Sequence, residues 1–319
     1  MRPTMKALVL TDGEARLVDR PVPAPGPDEV LVRSTAALVC PPSAHHDRVE
    51  SELGHEAVGV VAAVGERVDP RVAAVGERVI AVGQGRLAEY FTVRSPERTL
   101  VTLDERVTDH QALYAAGPLV SGLAALESVR PAPAGAVAVF GQGAGGLAVT
   151  LAARLAGAGL VIAVESAARR QKLSLRCGAD VIVDPLYEDP VARIRELTGG
   201  RGVDAALTGT GEWTGSGAPL RAVLSPAGRV TEARCSGPTD ELGRVWLERA
   251  LRLIERGRLD PTPMTTHEYG FELVGAAWEL VSAAPVDSDA VRPLIVFNGP
   301  TAPLGHPTPE SGRHLRVVA

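Results

Sequence analysis

The stretch Ala136–Gly146, AVAVFGQGAGG, decides the fold. Five apolar residues of strand character run straight into Gly141-Gln142-Gly143-Ala144-Gly145-Gly146, and an Ala/Leu-rich helical segment follows to about Gly157. A GxGxxG loop needs its glycines for separate reasons: the first for a tight turn, the second so that backbone can approach a pyrophosphate, the third for close packing of helix on strand. The start of the helix then offers N–H groups to the phosphates. Gly141, Gly143, Ala144, Gly145 and Gly146 are therefore the candidate pyrophosphate contacts. At the end of the next apolar strand, LVIAVE, stands Glu165, suited to accept hydrogen bonds from an adenosine ribose and to repel a 2′-phosphate. This favours NAD over NADP, although Arg169 and Arg170 follow closely and could receive a phosphate, so Arg170 joins the cofactor-binding candidates. The plainer alternative is a glycine-rich turn. It is outweighed because strand, loop, helix, second strand and terminal acid occur in order.

Working outward, the same rhythm continues on both sides. YAAGPLVSGLAALESV precedes the stretch as a helix, and ARRQKLSLRCGA, ADVIVD, DPVARIRELTGG, VDAALTG, APLRAVLSP and GRVTEAR follow as alternating helices and strands. That alternation predicts βαβ units in a parallel sheet. The first third differs. MKALVL, DEVLVRSTAALV, AVGVVAAVGERV and ERVIAVG are short Val-rich runs bounded by Gly, Pro and Asp, which predict strands joined by turns. AAVGERV occurs twice, at Ala62–Val68 and Ala73–Val79, and reads as two neighbouring strands ending in similar turns. After Gly237 come the helices WLERALRLIERG and ELVGAAWELVSA, the strand VRPLIVF, and a Pro/Gly-bearing tail with weak periodicity that reads as a surface wrap or a partly disordered segment.

With 319 residues, two domains are expected. The hydrophobic share is 45% and the charged share 22%, the profile of a globular protein rather than a disordered or fibrous one. The net charge of -5, without a basic run, excludes nucleic acid as an expected partner. No membrane span and no signal peptide are read from the sequence, and a cytoplasmic, bacterial protein is expected, the near-absence of lysine against abundant arginine suggesting a GC-rich genome. Three cysteines without a CxxC pair exclude a disulfide framework and a four-cysteine structural zinc site. Any metal must use mixed ligands.

One segment offers them. Cys40–Glu56, CPPSAHHDRVESELGHE, gathers a cysteine, three of the seven histidines and several acids. Taken singly, Cys40 and His55 are as readily core or loop residues. Cys177 and Cys235 are read as core, and Glu89 and Tyr90 as barrel structure rather than chemistry.

Together, MKALVL, GHEAVGVVAAVGERV, GRLAEYFTV and the glycine loop resemble the medium-chain dehydrogenase/reductase family, in its zinc-dependent alcohol and sorbitol dehydrogenase branch, from Met5 to Phe297. The resemblance implies an α/β protein: a Rossmann doubly wound parallel sheet over 115–265, and a GroES-like β-barrel catalytic domain formed by 1–114 and by 266–319. It implies one catalytic zinc, held by Cys40, His55 and Glu56, with Glu56 either a ligand or its neighbour, and no structural zinc. It makes His45 the proton relay, Ser121 a nicotinamide contact and Arg292 a basic residue able to reach the pyrophosphate. It implies hydride transfer between NAD(H) and a secondary alcohol or polyol, or its ketone, in a homodimer whose usual dimer segment is abbreviated. Departures matter. Pro42 replaces the usual relay hydroxyl, which Ser43 could supply instead. Gly117 stands where the family has a further zinc-site residue, the link from Cys40 to His55 is short, and GERVIAVGQ runs straight into GRLAEYF without a structural zinc lobe. Two alternatives stay open: a zinc-free quinone or enone reductase, and a non-catalytic dinucleotide-binding protein.

Overall fold

The structure is a computed structural model, and it describes residues 3–11, 14–39, 50–83, 85–209, 217–233, 241–283, 291–297 and 315–317. The chain divides into two compact units. One comprises Met1–Leu113, Thr265–Ala283 and Arg292–Ala319, the other Tyr114–Met264 and Ala284–Val291.

The first unit is built from strands β1 (Thr4–Thr11), β2 (Glu14–Pro21), β3 (Glu29–Leu38), β4 (Glu50–Glu52), β5 (Glu56–Val64), β6 (Arg78–Val82) and β7 (Tyr90–Arg94), the short helix α1 (Pro96–Thr99), and β8 (Leu100–Thr102). β1 lies between β2 and β4 in a small antiparallel sheet. β3 pairs antiparallel with both β5 and β7, and β5 with β6. Two β-irregularities, between Leu31 and Val32 and between Ser34 and Ala36, bend β3 against β5. Gly59 permits this approach, since a Cβ there would sit 2.3 Å from the Arg33 carbonyl oxygen. Val30, Val32, Ala57, Val61, Val79, Phe91 and Val93 form the buried core between these strands.

Helix α2 (Asp109–Tyr114) leads into the second unit, where a five-residue π-helical turn, Ala115–Leu119, precedes α3 (Val120–Val129). Then follow β9 (Ala136–Phe140), α4 (Ala144–Leu155), β10 (Leu160–Val164), α5 (Ala168–Arg176), β11 (Val181–Val183), α6 (Pro190–Leu197), β12 (Val203–Gly209), α7 (Ala218–Ala222), β13 (Leu224–Ala233) and α8 (Glu241–Glu255). All five strands are parallel in the order β11-β10-β9-β12-β13, the doubly wound arrangement. The unbroken apolar run AVAVF follows from this position. Val137 and Val139 enter one core with α3 and α4, while Ala136, Ala138 and Phe140 enter the other with Ile194 and Leu220. Asp189 starts α6 by accepting from the backbone N–H groups of Val191 and Ala192, with Pro190 in the first turn.

The chain returns to the first unit with β14 (His267–Gly270), α9 (Val274–Ala283), β15 (Leu294–Val296) and β16 (Leu315–Val317). β15 joins β3 antiparallel, pairing Leu294 with Leu38.

Several sequence expectations need correction. The second AAVGERV does not end a strand. It is the turn entering β6, while the first copy closes β5, its antiparallel neighbour. β2 was not foreseen, APLRAVLSP forms only the five-residue α7, and the tail contributes β16, paired with β14. The 21-residue helical span Asp109–Val129 is long and apolar, but 83% of its most apolar window is buried within the protein, as in a core helix.

Gly122 lets α3 lie on α4, because a Cβ at this position would meet the Ala148 backbone at 2.8 Å. Gly122→Val is expected to cost about 1–3 kcal/mol in urea denaturation by overpacking this contact. The exposed neighbour Glu127→Gln should stay within about 0.5 kcal/mol of the parent.

Candidate functional site

In the second unit, β9 ends at Phe140 and Gly141 turns the chain with φ 78, its N–H donating to the Val164 carbonyl at 2.9 Å. That left-handed conformation suits glycine alone among common residues. Gly143 is the N-cap of α4, with Ala144, Gly145 and Gly146 in its first turn. The candidate pyrophosphate contacts thus lie together at a helix start beside the ends of β9 and β10.

Glu165 is buried and accepts three backbone hydrogen bonds: Gln142 N–H at 2.7 Å on Oε2, and Ser166 and Ala167 N–H at 2.8 and 2.9 Å on Oε1. It holds the glycine loop and the start of α5 at once. Gln142, which sequence reading passed over, is fully buried. Its Nε2 donates to the Val139 carbonyl at 3.2 Å, and its Oε1 accepts from Thr150 Oγ1 at 2.9 Å. Ser174 Oγ lies 3.1 Å from the same Oε1 and 2.7 Å from the Arg170 carbonyl, and its single proton serves one of them at a time. The only sequence signal was an amide between two glycines of a buried loop. Arg170 is just 3% exposed, so it faces inward from α5, not out to solvent. Ser121 donates its hydroxyl proton to the Gly117 carbonyl at 3.0 Å. Gly117 itself lies in the π-helical turn and carries no side chain that could ligate a metal.

In the first unit, Gly54, His55 and Glu56 stand at the head of β5. Gly54 has φ 89 and leaves no room for a Cβ, which would fall 2.7 Å from Leu87 N. His55 is half-buried and its carbonyl accepts from Gly83 N–H at 2.8 Å. Glu56 is buried, and its Oε1 accepts from Arg292 Nη1 at 3.2 Å, with the two side chains 1% and 7% exposed. Val39 N–H donates to the Pro293 carbonyl at 3.0 Å, so the end of β3 meets the residue after Arg292. Cys40, Ser43 and His45 lie outside the described residues, as does Cys235. Among the described residues no group of three or more His, Cys, Asp or Glu side chains forms a metal cluster. Imidazole and carboxylate at the head of one strand are nonetheless donors of the types a zinc site uses. Cys177 is a core residue whose thiol is pushed up to about 12 by burial. Glu89 lies just before β7 and accepts from Lys6 N–H at 2.6 Å.

Residues 26–105 match the family profile for the alcohol dehydrogenase GroES-like domain, and residues 144–231 that for the zinc-binding dehydrogenase. A Mycobacterium tuberculosis protein named "Probable zinc-binding alcohol dehydrogenase" is 30% identical over 263 residues, 71% of this chain and 67% of its own. The chain belongs to the zinc-dependent medium-chain dehydrogenase/reductase family. An alcohol dehydrogenase of Cupriavidus necator is 28% identical over 88% of this chain and 96% of its own. The NADP-dependent isopropanol dehydrogenase of Thermoanaerobacter brockii is 26% identical over 91% and 98%. In structure, an alcohol dehydrogenase from Thermus sp. ATN1 superposes with a TM-score of 0.79 at 23% identity, covering 92% of this chain and all of its own, which shows the shared fold. The Rossmann sheet and the GroES-like strands described above are those of a medium-chain dehydrogenase.

Removing one partner of a buried ion pair leaves an uncompensated charge. Glu56→Ala is expected to lower unfolding stability by about 3–5 kcal/mol. Glu56→Ala combined with Arg292→Met should recover most of that loss in the same denaturation assay.

Proposed function

We propose that the chain is a zinc-dependent alcohol dehydrogenase moving a hydride between NAD(H) and a secondary alcohol or polyol, or the corresponding ketone. The observation that carries this reading is the Gly54-His55-Glu56 head of β5, with its carboxylate fixed by Arg292, in a chain whose family is zinc-dependent. The isopropanol dehydrogenase relative supports the secondary-alcohol class.

In this reading Cys40 and His55 hold the metal. Glu56, already engaged by Arg292, balances charge behind His55 or completes the ligand set. Zinc, when bound, supplies a Lewis acid that lowers the pKa of a substrate hydroxyl. His45 takes up the proton at its imidazole, and Ser43 replaces the hydroxyl that Pro42 lacks. Glu165, its carboxylate oriented by three backbone N–H donors, takes the ribose hydroxyls, which supports NAD over NADP. The helix start from Gly143 to Gly146 binds the pyrophosphate. Ser121 has given its proton to Gly117, so its oxygen serves the nicotinamide end as an acceptor. Arg170 faces inward and supports α5, so it is a weak candidate for phosphate contact. Arg292 gives an N–H to Glu56 and is the basic residue expected to reach the pyrophosphate. A cytoplasmic homodimer completes the reading.

Metal analysis of protein purified without a chelating tag is expected to find about one zinc per chain. Cys40→Ala should lose the zinc and at least about a thousandfold in turnover on propan-2-ol or butane-2,3-diol, with NAD binding retained. Full turnover in a zinc-free preparation would overturn the metal mechanism. Glu165→Gln should shift the kcat/KM ratio of NAD to NADP towards NADP by about tenfold, the scale of one lost charge repulsion.

A further inference from the structure

A cavity of about 310 Å3 in the first unit is lined by Met5, Arg20, Val22, Glu52, Arg86 and Phe91, among others. Its volume falls at the lower end of small-molecule sites. The charges around it do not balance. Arg20 Nη1 lies 3.2 Å from Glu52 Oε1, and these two offset each other. Arg86 is left over.

Arg86 is 5% exposed and, among the described residues, makes no ion pair within 4.0 Å. Its Nη1 donates to the Thr92 carbonyl at 3.1 Å and its Nη2 to the Val82 carbonyl at 3.4 Å, while the guanidinium sits 4.4 Å from the centre of the Phe91 ring. Nε is buried and has no acceptor. Burial pushes the guanidinium down to about 10 against the pull of Glu52, so it is still a cation at neutral pH. A buried charge is ordinarily accompanied by an opposite one, and an orphaned buried donor calls for an explanation.

The turn between β6 and β7 is shaped around these groups. Gly83 has φ 141, and a Cβ there would lie 2.8 Å from Arg86 Nη2. Gly85 has φ 77, and its Cβ would lie 2.5 Å from Glu52 Oε2. The positive φ angles at both positions favour glycine, whatever the neighbouring side-chain ends do.

We propose that this cavity binds a small organic monoanion, a carboxylate with a short apolar body, its charge set against Arg86 and its body against Met5, Val22 and Phe91. The site is independent of the zinc reading. It is also tied to the strand head that carries His55. Arg86 N–H donates to the Gly54 carbonyl at 3.3 Å and Gly83 N–H to the His55 carbonyl at 2.8 Å, so occupancy stiffens the turn behind His55.

The test is a fluorine-NMR titration of the full chain with 4-fluorobenzoate, using neutral 4-fluorobenzamide as the control. Saturable binding of the carboxylate is expected, with the amide weaker by about tenfold or more, the scale of a charge-assisted hydrogen bond. Binding should be lost in Arg86→Gln and in Val22→Trp, which fills the cavity, and kept in His55→Ala. Should Arg86→Gln fail to fold, Val22→Trp decides. Equal binding of acid and amide, binding that survives Val22→Trp, loss in His55→Ala, or no saturation up to about 10 mM, the weak end of specific small-ligand binding, would each overturn the proposal.

Discussion

Glu56 and Arg292 lie 236 positions apart and meet at 3.2 Å with almost no water around either. An attraction screened so little is strong, and it binds only if both groups arrive together. Three pieces of chain therefore converge: the head of β5, the end of β3, and the approach to β15, where Pro293 accepts from Val39. The return of the chain to its first unit is what brings Arg292 here. His55 owes its setting to this convergence, because its neighbour in sequence is fixed by a residue contributed from far along the chain.

The two units satisfy their buried acids in opposite ways. Glu56 is met by a full counter-charge, whereas Glu165 is met by three backbone dipoles. A guanidinium cancels a carboxylate's charge locally. N–H dipoles meet its oxygens without adding a formal charge. Gln142 completes the arrangement by tying the glycine loop to α4 and leaving the loop little freedom to move.

The parallel sheet was legible because AVAVF and LVIAV are unbroken apolar runs, as suits strands covered on both faces. β2 was not, since half of EARLVDRP is charged and most of it is exposed, and it is a strand by virtue of its pairing with β1. The glycine loop could be read residue by residue because its constraints are local. Gln142 could not, its acceptor oxygen being served from Thr150 and Ser174, 8 and 32 positions away. The same holds for Arg86, which looks like any surface arginine until β6, β7 and the first hairpin enclose it. Glu56 stood out in the sequence beside His55, but its engagement with Arg292 depends on topology.

The π-helical turn at Ala115–Leu119 has a geometric consequence. Each residue of an α-helix advances its face by about 100°, so a turn holding one residue more than usual re-phases everything after it. Ser121 and Gly122 point as they do because of that added residue, with Pro118 donating no N–H to resist the wider winding. Shortening Ala115–Leu119 by one position would yield a more regular helix and a worse protein, with Ser121 swung off its bearing and a bulkier edge of α3 turned against Ala148. At this point in the chain the count of residues matters more than their chemistry.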